Sequence, residues 1–204
     1  YAAYAAKQMG APIGRLIIAT NTNDILARFI ESGAQTMAAV EATLSPSMDI
    51  QVSSNFERLL FDLEGRDGSA TAERMKAFER DGKTALTDAM RSKAGLFQSA
   101  RADANEMSGA MRWAYEKCAE VIDPHTAIAI HAARNAGISA DIPVVTLATA
   151  HPAKFPDAVE RATGVRPSLP ARVGNLFDRE ERFIVLPSEY VAVRDHVLGH
   201  AARA

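Results

Sequence analysis

Two short aliphatic runs set the terms for this chain. Arg15–Thr20 (RLIIAT) and Pro143–Thr149 (PVVTLAT) carry apolar residues with little alternation, as strands buried on both faces do. Both lie among helical segments. Tyr1–Met9 is an Ala-rich helical run closed by Gly10, a favoured residue just past a helix end. After the first strand, Asn21 and Asn23 are placed to cap a helix in which Ile25, Leu26, Phe29 and Ile30 keep helical spacing up to Gly33. A helix–strand–helix unit is the local pattern of a parallel α/β sheet. Phe183–Leu186 offers a third extended piece. Two or three strands fall short of the roughly five or six in a doubly wound sheet. Either the fold is largely helical or part of the sheet comes from sequence outside this chain. The second is favoured, because both clear strands look doubly buried. The expected class is α/β, a helix-rich partial parallel sheet.

The rest of the chain reads mainly as helix. Ser54 followed by Glu57 has capping-box spacing ahead of Phe56, Leu59, Leu60 and Leu63. Glu64–Gln98 is polar and mostly helical, broken near Gly82 and Gly95. Asp103 with Glu106 opens a long helix with Met107, Met111, Ala114 and Cys118 on one stripe. Asp123-Pro124 starts another, as N-cap and first-turn proline, with Gly137 past its end. Lys154–Thr163 is a short helix ended by Gly164, and Ser188 caps a final helix through Val191, Val193 and Val197.

Composition excludes several function classes. Twenty-three basic residues stand against 25 acidic ones, a net charge of −2, which gives no electrostatic footprint for nucleic acid or an anionic membrane. No apolar stretch approaches the roughly 18 residues of a membrane span. Cys118 is the single cysteine, so no internal disulfide and no cysteine-based zinc site can form; a lone thiol fits a reducing cytoplasm. Tyr1 opens directly in a helical run and is not methionine, so the N-terminus is read as a cut.

Three segments are more polar than a plain core requires. Ala19–Asp24 lies at the carboxyl end of a strand, where open α/β sheets bind ligands, although helix capping also explains it. In Leu44–Phe61, capping accounts for Ser54 and Glu57 but not for Ser47, Met48 and Asp49 together. The third region pairs Asp123–Ala127 (DPHTA) with Leu147–Phe155 (LATAHPAKF), where Thr149 ends a strand and His151 and Lys154 follow on the turn. Among the histidines, His196 and His200 stand four apart, spacing that suits a metal pair but is better explained by cations at a helix end. No Walker loop, Rossmann glycine fingerprint or nucleophile elbow is present.

The strings TLSPSMDIQVSSNFERLLFD, DPHTA and TLATAHPAKFPDAV resemble threonine synthase, in order and at the intervals of that family. YAAKQMG resembles the helix after that family's glycine-rich phosphate loop, and IIATNTNDIL follows it. The resemblance covers essentially the whole chain and is weakest over residues 64–104 and the C-terminal tail.

That resemblance implies residues 1–204 to be the C-terminal part of the catalytic region of a fold-type-II pyridoxal-phosphate enzyme, of the tryptophan-synthase-β type. It implies conversion of O-phospho-L-homoserine and water to L-threonine and phosphate, in the cytoplasm, by an enzyme whose cofactor lysine lies in the N-terminal half. None of Lys7, Lys76, Lys83, Lys93, Lys117 or Lys154 stands in a similar motif, so this half is expected to be missing and the chain alone inactive. Its partners would be that half and the small-molecule substrate. Thr149 matches the hydroxyl residue that hydrogen-bonds the pyridine nitrogen of the cofactor. Asn21, Asn55, His125 and His151 are candidate neighbours of the site. Two other readings stay open: a related β-eliminating dehydratase acting on serine or threonine, and a noncatalytic α/β scaffold.

Overall fold

A computed structural model describes residues 1–201. The chain forms two compact units, divided after Pro167. In the first, α1 (Ala2–Gln8) leads to β1 (Leu16–Thr20), α2 (Ile25–Ser32) and β2 (Ala34–Thr36). A single 3-10 turn at Pro46–Met48 precedes α3 (Ser54–Leu63), α4 (Gly68–Asp81), β3 (Lys83–Ala85), α5 (Asp88–Ala94) and β4 (Phe97–Arg101). Helices α6 (Ala104–Cys118) and α7 (Pro124–Asn135), a 3-10 turn at Pro152–Lys154 and α8 (Pro156–Thr163) complete it. The second unit, described to residue 201, holds two short 3-10 turns and α9 (Tyr190–Ala201).

β1 and β4 pair in parallel, Leu16 opposite Phe97 and Thr20 opposite Arg101. β2 and β3 pair antiparallel, Gln35 opposite Thr84. Side chains alternate faces along a strand, so Leu16 and Phe97 point one way and Ala19 and Ala100 the other. Phe97 packs against one core, built on Ile25, Phe29, Phe56, Leu60, Phe78 and Met90. Ala19 packs against a second, built on Met107, Met111, Ala127, Ile128 and Val159. The strand pair therefore has a core on each face, as a parallel sheet requires. Phe29 and Phe56 meet edge to face, centroids 4.6 Å apart, the arrangement the ring quadrupole favours.

Several local expectations hold. Asp103 and Glu106 form the reciprocal capping box of α6, and Asp123 caps α7 with Pro124 in its first turn. Gly164 closes α8 in the left-handed region. On the α6 stripe Met107, Met111 and Ala114 are buried, but Cys118 is exposed.

Others are corrected. The cap of α3 is Ser53, whose extended backbone lets its hydroxyl accept the Phe56 N–H, so Ser54 and Glu57 lie one position too far into the helix for a box. Asp24 occupies the N-cap of α2, and Asn21 and Asn23 turn inward instead. Residues 64–98 include β3 and the start of β4. Phe97–Arg101 has one large apolar residue, and pairing with β1 decides its conformation over its weak local preference. Pro143–Thr149 is not a strand, and Val144, Val145 and Leu147 are exposed. Phe183–Leu186 is likewise outside any strand, with Phe183, Ile184 and Val185 exposed. A strand with no alternation needs a ladder and cover on two faces, and the described residues of neither segment's own unit supply them.

Candidate functional site at the carboxyl end of the first strand

β1 ends at Thr20, and the next residues run into a polar network. Asn21 and Asn23 are buried, with 3% and 5% of their surface exposed. The Asn21 side-chain amide reaches Asp49 Oδ1 at 2.7 Å, Thr43 Oγ1 at 2.9 Å and Ser45 Oγ at 3.0 Å. An amide nitrogen carries only two hydrogens, so Asp49 and one hydroxyl take them at any moment. Asn21 Oδ1 accepts the Asn23 N–H at 2.9 Å. Asn23 in turn donates to Asp49 Oδ1 at 2.9 Å and to the Glu41 carbonyl at 2.8 Å, and accepts the Glu41 N–H.

Asp49 is the hub of this network. Its Oδ1 accepts from Asn21, Asn23 and the Thr43 hydroxyl, and its Oδ2 from the Thr43 N–H at 2.8 Å. Hydrogen bonds to an ionised acceptor are about twice as strong as neutral ones. The effect is to tie the irregular segment 41–49 to the end of β1.

A second anchor comes from α7. Asp123 is fully buried and accepts the His125 and Thr126 amides as a helix cap; it also accepts the Thr126 hydroxyl and His125 Nδ1. His125 Nε2 accepts the Ser47 N–H at 3.3 Å. Phe155 packs against the His125 ring, centroids 4.8 Å apart. The turn Pro46–Met48 is therefore held from two sides, and it joins three of the polar segments singled out in the sequence.

Not every candidate gathers here. Asn55 is exposed and accepts from Arg58 at 3.0 Å. His151 is exposed and only accepts the Ala153 N–H at 3.1 Å, though its turn leads to Phe155. Thr149 is exposed, and its hydroxyl has no hydrogen bond among the described residues. It stands on the unpaired segment, not at the end of a buried strand as expected. His196 and His200 lie 4.2 Å apart by ring centroids, His196 half-buried and His200 exposed; among the described residues no group of three metal-ligating side chains forms. Among the described residues no lysine side chain enters the network: Lys7 and Lys93 bond the carbonyls of Ile13 and Leu63, away from it. Sequence reasoning missed Thr43 and Glu41 as partners and the bridge from Ser47 to His125. The alternating hydroxyls of Thr43, Ser45 and Ser47 ahead of Asp49 were the available signal.

Beside the network, Arg101 pairs with Glu31 at 2.6 Å and Asp24 at 3.2 Å. The hydrogen bond that Arg101 donates to Glu31, aided by the charge of both carboxylates, holds the guanidinium above its ordinary range despite some burial.

Residues 126–197 match the family model described as threonine synthase, C-terminal. Curated threonine synthases from Pseudomonas aeruginosa and Corynebacterium glutamicum are 47% and 36% identical, over 100% and 98% of this chain. The matches cover 44% and 43% of those proteins, so the chain spans less than half the length of these relatives. A solved structure of pyridoxal-phosphate-bound threonine synthase from Brucella melitensis superposes with a TM-score of 0.83 at 46% identity, over 100% of this chain and 44% of that one. The yeast enzyme gives 0.79 at 34% identity, over 100% and 45%. The fold is thus that of the C-terminal part of a fold-type-II pyridoxal-phosphate enzyme. Within that class, the chain is similar along its whole length to threonine synthase, as its motifs led us to expect.

Proposed function

We propose that this chain is the C-terminal part of a threonine synthase, which converts O-phospho-L-homoserine and water to L-threonine and phosphate with pyridoxal phosphate. The observation that carries the reading is the likeness to threonine synthases over 100% of the chain, at 47% identity in sequence and a TM-score of 0.83 in structure. The convergence of Asn21, Ser47, Asp49 and His125 at the carboxyl end of β1 supports it, because open α/β sheets bind ligands there. The cofactor lysine and the remaining wall of the site belong to the other half of the enzyme.

Thr149 is the residue proposed to face the pyridine nitrogen. Its exposed, unengaged hydroxyl fits that role, since a side chain sunk in the core could not reach a ligand. Bound pyridoxal phosphate supplies an electron sink for negative charge that develops on the substrate. A threonine hydroxyl cannot act as a counter-ion, because its pKa is far too high. Thr149 therefore leaves the ring nitrogen near neutrality and moderates the sink, which favours elimination over transamination. Asn21 and Asp49 hold the 41–49 segment in one geometry; His125 meets the same segment from α7.

The test is turnover by the full-length enzyme on three substrates. Phosphate and L-threonine are expected in equal amounts from O-phospho-L-homoserine, with little turnover of serine or threonine. Preferential deamination of serine or threonine would establish the dehydratase reading instead. Absence of any pyridoxal-phosphate absorption band would remove both.

A further inference from the structure

Asp123 and His125 form a buried pair that helix capping alone does not require. Asp123 caps α7 through backbone amides, and a cap needs no imidazole beside it. Yet His125 Nδ1 lies 2.9 Å from Asp123 Oδ1, with the two side chains 3% and 1% exposed. An ionised carboxylate only accepts, so Nδ1 carries the ring proton and Nε2 presents a lone pair. That lone pair faces a backbone N–H, that of Ser47, at 3.3 Å. Neither outer partner can exchange its role, and one tautomer satisfies both. The contact spans 78 residues of sequence.

The turn that the imidazole holds has an unusual balance of anchored and free groups. Ser45 is fully buried, and Met48 packs against the second core. The Asn21–Asp49 network fixes the turn on the β1 side. Between those anchors, Pro46 and Ser47 are exposed. Exposed loop groups fixed by buried polar contacts from two rigid elements are the arrangement by which a scaffold preorganises a binding loop.

We infer that His125 is a positioning residue: through the Ser47 N–H it fixes the Pro46–Met48 turn as one wall of the substrate site, and Asp123 sets the tautomer that makes this possible. The inference rests on the proposed threonine-synthase function, and its test separates the two. In the full-length holoenzyme, His125→Phe keeps a ring with no acceptor. His125→Gln can return an oxygen near the position of Nε2. Asp123→Ser keeps an oxygen for the α7 cap, but its short hydroxyl, taken up by the backbone amides, withdraws the carboxylate that receives Nδ1–H, so nothing fixes the tautomer that leaves Nε2 free to accept.

Hydrogen exchange over residues 45–49 is read together with steady-state kinetics on O-phospho-L-homoserine. His125→Phe and Asp123→Ser are expected to speed exchange at the turn by about tenfold or more while amides in the middle of α6 keep their protection. KM should rise by roughly tenfold, with a smaller change in kcat and the cofactor absorption band retained. His125→Gln should recover most of both effects. Unchanged exchange at the turn, faster exchange with KM unmoved, or a glutamine variant no better than phenylalanine would each overturn the inference. Should His125→Phe not fold, the Asp123→Ser and His125→Gln comparison decides by the same readings. If the wild-type enzyme releases no phosphate while the exchange pattern appears as described, the functional reading fails and the latch on Ser47 stands.

Discussion

Asp49 shows how one carboxylate can organise a loop that has no regular structure of its own. Three side-chain donors and one backbone N–H converge on it, and a carboxylate can receive all four without conflict. Removing a donor leaves the others in place; reversing the acceptor does not. Asn21→Ala is expected to lower stability by about 1–3 kcal/mol, because Ser45 and Asp49 lose a buried donor. Asp49→Asn should cost at least as much, since its new N–H₂ group faces existing donors. Urea unfolding of the two variants with an unchanged m-value would check both. The composition of this site was legible in the sequence, where Asn21, Ser47, Asp49 and His125 all drew notice. Its connectivity was not, because residues at 21 and 49, or 47 and 125, meet only through the tertiary fold.

Several helix ends and most of the core stripes follow local chemistry closely, although the α2 and α3 caps fall at Asp24 and Ser53. Asp103, Asp123 and Gly164 stand where capping requires them. The misread elements are those whose conformation depends on a distant partner. β4 is drawn into the sheet by β1, and Pro143–Thr149 has strand chemistry with no ladder among the described residues of its unit. Gly33 illustrates a local rule with a non-local consequence. It ends α2 at φ 72°, and a Cβ there would run into the Arg91 guanidinium, which donates to the Ser32 carbonyl. Gly33→Ala should destabilise by about 1–2 kcal/mol, from left-handed backbone strain plus the displaced arginine. Thermal unfolding of this variant beside Arg91→Ala would separate the two terms. In the cores, Leu60 and Met111 are both fully buried. Leu60→Ala and Met111→Ala are each expected to cost about 2–5 kcal/mol by transfer and cavity terms. They occupy different cores on opposite faces of the strand pair, so their effects should add within about 0.5 kcal/mol in the double variant.

The first unit has two cores back to back on a two-stranded parallel sheet, with further strand-like sequence left exposed. Val145 is 83% exposed. Substitution at a freely exposed position changes stability by no more than about 0.5 kcal/mol. In the full-length enzyme, where the relatives are more than twice as long as this chain, Val145→Asp should instead cost roughly 2 kcal/mol or more, the penalty for burying an unpaired charge between sheet neighbours. Denaturant unfolding of the full-length variant reads that difference. The same segment carries Thr149, so the placement of residues 143–149 and the proposed chemistry of the cofactor are one question at the scale of the whole molecule. The most direct measurement is nitrogen NMR of the full-length holoenzyme loaded with pyridoxal phosphate labelled at the ring nitrogen. The wild type is expected to show an unprotonated ring nitrogen, and Thr149→Asp to move it to the protonated range. A ring nitrogen already protonated in the wild type, or one indifferent to Thr149→Asp, would contradict the assignment of that hydroxyl.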